Sequence, residues 1–143
     1  MKVDKLVATL IWLSGLTTTS MFFWQLGMEI YSIPVSVVLQ AALTRLQSPI
    51  WSAKIKSPVI SIMGVVALTL DVMFNAAGLY EFVLAFNETN LGTMLASQGV
   101  PTVSGVGFLV ISLFVGAFQA GSPEILWNLS SSGSSGSSSS RKS

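Results

Sequence analysis

Four apolar runs, separated by short polar punctuation, organise the chain. The first, residues 6–28, follows Lys2, Asp4 and Lys5 and continues through Met21-Phe22-Phe23-Trp24. A signal peptide has a similar charged start, but its apolar part is shorter and closes on a small-residue cleavage site. The run instead predicts an uncleaved membrane helix, with Trp24 and Tyr31 near its far interface, where aromatic belts form. The second run, residues 30–46, is shorter: about 17 helical residues measure roughly 25 Å, less than the ~30 Å hydrocarbon core of a bilayer. Ser32, Ser36, Gln40 and Thr44 recur at every fourth position and form one narrow polar stripe on it. A helix lying flat in the interface would carry Lys and Arg on such a face. This one does not, so crossing is the better reading, with Pro34 in a first turn capped by Ser32.

Residues 47–57, punctuated by Pro49 and followed by Pro58, read as a connector. The third run, residues 58–80, is the strongest by length and apolarity. Residues 81–101 start apolar, turn polar through Asn87-Glu88-Thr89-Asn90, and read as a loop. The fourth run, residues 103–120, is closed by Gly121-Ser122-Pro123, with Trp127 as an interfacial anchor. From Ser130 to Ser143 only Ser, Gly, Arg and Lys occur, a composition that reads as a flexible tail outside the fold.

Charge sets the orientation. The seven bases are Lys2, Lys5, Arg45, Lys54, Lys56, Arg141 and Lys142. Four crossings put all of them on one side, whereas three crossings would divide them. Cytoplasmic flanks carry the Lys/Arg excess, so both termini and the 47–57 connector are expected in the cytoplasm and the 87–100 loop outside. Only helices and closed barrels satisfy their backbone in lipid. The fold expected is therefore all-α: an integral membrane four-helix bundle, up-down-up-down, in one domain over residues 1–129. The bacterial inner (plasma) membrane is the expected location.

Composition narrows the chemistry. With 9% charged residues and a mean hydropathy of +0.71, the chain departs from soluble proteins, where about 25% charged is usual. A net charge of +1 leaves no footprint for nucleic acid. Cysteine and histidine are both absent, which excludes disulfides, thiolate or imidazole metal sites and Cys or His catalysis. The glycines form no phosphate loop. The expectation is a protein that is not an enzyme and uses no cofactor or metal.

Asp71 is the residue that composition does not explain. A charge at mid-span costs about 2.5–3.5 kcal/mol on insertion scales. Gly64, Ala67, Asp71, Asn75 and Gly78 step by three or four residues, so they share one small-and-polar helix face. Such a face lets another backbone approach closely. Asp71 and Asn75 could line a conduction path; alternatively a protonated Asp71 bonds Asn75 or a neighbouring helix and simply holds it. The first run carries a matching stripe, Ser14, Thr18, Gln25 and Glu29, whose outer members could form a polar vestibule. Ser112, Gly116 and Ala120 repeat at four-residue spacing and read as a packing surface. The partners expected are the lipid bilayer and either copies of the chain or other membrane subunits. The function expected is that of a non-enzymatic subunit of a homo-oligomer or larger membrane complex. The alternative is an oligomeric channel, a holin-like pore or a small proton-coupled transporter working through Asp71.

Overall fold

A computed structural model describes residues 3–52, 54, 57–101 and 105–132. Lys2, Lys56, Arg141, Lys142, the first residues of the expected fourth span and the tail from residue 133 lie outside the described residues. Within them the secondary structure is entirely helical: α1 (Val3–Phe23), α2 (Ser32–Trp51), α3 (Pro58–Asn87), α4 (Asn90–Ser97) and α5 (Gly105–Ser132). Three helical stretches are long and apolar enough to cross a membrane: Val3–Trp51, Pro58–Asn87 and Gly105–Ser131. The first folds back on itself. Between α1 and α2 lie a π turn, Trp24–Met28, and a 3-10 turn, Glu29–Tyr31, with Gly27 at φ 85° and Glu29 at φ 45°. Gly27 adopts that left-handed backbone without a Cβ penalty.

Contacts give the packing directions. The Trp12 indole donates to Thr44 at 3.2 Å and Thr19 to Gln40 at 3.3 Å, so α1 and α2 run antiparallel. Gln40 and Gln47 reach Asp71 while Leu46 and Ile50 meet Gly64, which makes α2 and α3 antiparallel too. Tyr80 stacks on Phe108 and Gly116 lies against Val72 and Ala76, giving the same relation for α3 and α5. Gly15 faces Asn75 and Gly78 faces Thr18, so α1 and α3 are parallel.

Three helices run further than the punctuation suggested. α2 continues to Trp51 through Pro49. Proline removes one N–H and crowds the preceding turn; Pro49 lies two residues from the helix end, so only the Arg45 carbonyl loses its helical donor. At 20 residues, α2 is about 30 Å long, enough to match the hydrocarbon core. The helix begins at Ser32, whose side chain is buried and caps nothing. α3 continues to Asn87, and α4 occupies the expected loop, capped by Thr89, whose hydroxyl accepts from Gly92 N at 3.1 Å. α5 passes through Gly121-Ser122-Pro123 to Ser132. Helix breakers are tolerated in helices surrounded by apolar material, because the helix is the only way to satisfy the remaining backbone there.

The distribution of side chains is inverted. The buried apolar residues are small in the main, with Ala8, Ala67, Ala76 and Ala120 among them. The largest fully buried side chains are all polar, led by Gln40, Gln47, Asn75, Thr19 and Asp71. Large apolar groups point outward instead, including Leu10, Ile62, Val65, Phe114 and Phe118. A soluble monomer rarely shows continuous apolar surface on this scale. The arrangement is compatible with a membrane, where the outward face gains nothing by being polar.

Candidate functional site

Asp71 sits at the centre of the buried polar groups, 1% exposed. α3 presents it toward α2 because the Gly64-Ala67-Asp71-Asn75-Gly78 face is buried along its whole length. Gly64 and Gly78 bring that face close to its neighbours: a Cβ on Gly64 would meet Ile50 at 2.6 Å, and one on Gly78 would run into the Thr18 main chain.

Three amides close on the carboxyl. Gln40 Nε2 donates to Asp71 Oδ1 at 2.8 Å, Gln47 Nε2 to Oδ2 at 2.7 Å, and Asn75 Nδ2 to Oδ1 at 2.8 Å. Two of these amides are oriented by partners of fixed polarity. The Trp51 indole N–H can only donate, and it lies 3.4 Å from Gln47 Oε1, so Gln47 turns its NH2 group to Asp71. The main-chain carbonyl of Asp71 can only accept, and it takes Asn75 Nδ2 at 2.8 Å. Gln47 and Asn75 therefore present donors to the carboxyl, while Gln40, whose other partner is the Thr19 hydroxyl at 3.3 Å, can turn either its NH2 or its oxygen to Asp71. The expected bonds to Asn75 and to a neighbouring helix are both present.

The network continues outward from this centre. Asn75 Oδ1 lies 2.7 Å from the Thr18 hydroxyl and 3.4 Å from that of Thr19. Thr18 Oγ1 is 3.4 Å from Gln119 Oε1, and Gln119 Nε2 donates to Ser14 Oγ at 3.1 Å. Polar side chains of α1, α2, α3 and α5 thus adjoin one another from Trp51 to Ser14, with the single Thr18 proton going to Asn75 Oδ1, the nearer of its two amide oxygens. Buried polar groups cost free energy unless bonded, and this network satisfies most of them. Ser36 and Ser112 are the exceptions within the helices' shared interior, buried with no partner for their hydroxyls among the described residues. Among the described residues no three acids gather into a metal-holding group.

No family model, curated protein or solved structure matches this chain. The site therefore has to be interpreted from its own geometry.

Asp71 and Asn75 come together as the spacing implied. Gln25 and Glu29 do not join them. Both lie exposed on the α1–α2 turn. α1 ends at Phe23, and the turn redirects the chain, so the seven-residue step from Thr18 to Gln25 no longer follows one helix face. Ser112, Gly116 and Ala120 are all buried, with Gly116 against Val72 O and Ala76 N, where an added Cβ would lie 2.8 and 3.0 Å away. Gln47, Gln119 and Thr19 are the members that sequence reasoning passed over. Gln47 continues the Ser32-Ser36-Gln40 stripe seven residues on, a signal masked by Pro49. Gln119 adjoins the small-residue face of α5. Thr19 lies one residue beyond the Ser14-Thr18 stripe.

Proposed function

We propose that this chain is a non-enzymatic multi-pass membrane protein that crosses the bilayer four times and acts as a rigid subunit of a homo-oligomer or larger membrane complex. The observation that carries the reading is the closed amide shell around Asp71. An acid with every oxygen occupied by donors from two helices works as a clamp between them. The small-residue faces of α3 and α5 are used within the chain, so a partner would meet the outer apolar surface. Val106, Val110, Phe114 and Phe118, all exposed at four-residue spacing on α5, supply one continuous ridge for it. In this reading both termini and the residue 54 region face the cytoplasm of a bacterial cell, because that side gathers the bases.

A second reading draws on the run of adjoining polar side chains from Trp51 to Ser14. A channel, pore or proton-coupled carrier could use such a run, with Asp71 as its titrating member.

Substitution at Asp71 separates the two. Asp71→Leu leaves Gln40 and Gln47 without their interhelical acceptor and is expected to cost roughly 1–4 kcal/mol for the pair. Asp71→Asn keeps one acceptor but sets an NH2 group against Gln47, which Trp51 holds in place. It should destabilise less than Leu. Adding Trp51→Phe releases Gln47 to turn over, so the double variant should recover part of the Asp71→Asn loss in an unfolding titration in mixed micelles. Strict additivity of the two substitutions would count against the clamp. In reconstituted vesicles the carrier reading instead expects Asp71→Asn to abolish proton flux whether or not Trp51 is changed.

A further inference from the structure

Away from Asp71, at the end of the molecule that carries Lys5 and Arg45, α1, α2 and α5 leave an open cleft of about 540 Å³ whose lining includes Trp12, Thr44, Glu124 and Trp127. It adjoins a second space of about 380 Å³ that Glu124 shares with Arg45. Volumes of this order are those of small-molecule sites. Three features define its chemistry. Glu124 is half-buried and, among the described residues, has neither an ion-pair nor a hydrogen-bond partner. Trp12 and Trp127 flank it, and aromatic faces attract cations. Trp127 already holds one, since Lys5 Nζ lies 4.8 Å from its ring centroid. Arg45 is exposed at the same opening, and its planar fork suits a phosphate.

We propose that this cleft binds the headgroup of a zwitterionic aminophospholipid, with the amine against Glu124 and the Trp12 ring and the phosphate against Arg45. The inference rests on the membrane reading above. It follows from the separation of charges. A carboxylate and a guanidinium open onto one space without pairing, so a ligand carrying both signs satisfies each. An anionic headgroup would satisfy Arg45 but leave Glu124 without a cation. A purely cationic amphiphile would face Arg45 and Lys5. The depth also fits, because Trp side chains gather at the headgroup level of a bilayer.

The test uses the full chain in mixed micelles containing phosphatidylethanolamine and phosphatidylglycerol of identical acyl chains, with bound lipid counted by native mass spectrometry. Resistance to alkaline extraction from membranes is scored first, so failure of the membrane reading is seen separately. The wild type should retain phosphatidylethanolamine over phosphatidylglycerol by about tenfold, the worth of one charge-assisted bond. Glu124→Gln should bring the two lipids to parity, and Arg45→Gln should weaken retention of both. Soluble glycerophosphoethanolamine should compete only weakly if the acyl chains contribute to binding. Its competing as well as the lipid would assign the cleft to a free headgroup and overturn the lipid assignment. Equal retention of the two lipids by the wild type would overturn the proposal without any variant. So would undiminished phosphatidylethanolamine preference in a folded Glu124→Gln protein.

Discussion

Gly78→Ala is the most direct test of how α1 and α3 are held. The added Cβ would stand 2.5 Å from the carbonyl carbon of Thr18 and closer still to its oxygen. Ordinary carbon–carbon contact begins near 3.5 Å, and the nearer oxygen needs a larger shift, so the helices would have to separate by more than about 1 Å. The obstacle is main chain and cannot rotate away. Forcing an extra methyl group into a packed interface costs about 1–3 kcal/mol. The same separation stretches the 2.7 Å bond between Thr18 and Asn75, and an interhelical bond in a membrane protein averages about 0.6 kcal/mol. The expected loss is therefore about 1.5–3.5 kcal/mol. Unfolding in mixed micelles at increasing denaturing-detergent fraction, followed by circular dichroism, measures it. Gly107→Ala is the matched control, since a Cβ there meets nothing within 4 Å, and its stability should be unchanged or slightly raised by the better helix propensity of alanine. Equal stability of the Gly78 variant and the wild type, or an equal loss at Gly107, would refute the close-approach argument.

Gly116→Leu should also destabilise, because a Cβ already meets Val72 O at 2.8 Å and the rest of a leucine would push α5 off α3; retention of the wild-type melting profile would place that face elsewhere. Lys54→Cys in this cysteine-free chain should be labelled by a membrane-impermeant maleimide only after the cytoplasmic side is opened. Labelling from the outside of intact cells would favour three crossings over four.

The all-helical character and the inward face of α3 were legible in the sequence because both follow from periodicity. Asp71, Asn75, Gly64 and Gly78 recur at helical spacing, and a helix preserves that spacing in space. What spacing could not supply was the partner. Gln40 lay on a recognised stripe, but its pairing with Asp71 depends on how α2 and α3 are aligned, which no local pattern encodes. Gln47 was obscured for a different reason: Pro49 suggested a boundary before it, whereas α2 runs to Trp51. Gln25 and Glu29 mark the opposite limit. Their spacing matched the stripe, but Gly27, with its positive φ, ended the helix that would have aligned them.

The division of the Asp71 shell between α2 and α3 also bears on biogenesis. A chain made from its N-terminus completes α2 before Asp71 exists. During that interval Gln40 and Gln47 have only Thr19 and Trp51 as described hydrogen-bond partners. Its settled position therefore depends on a residue translated some two dozen positions later, the 24-residue separation of Gln47 from Asp71. If the chain crosses the bilayer four times as proposed, insertion of α2 is coupled to that of α3 through this shared acceptor.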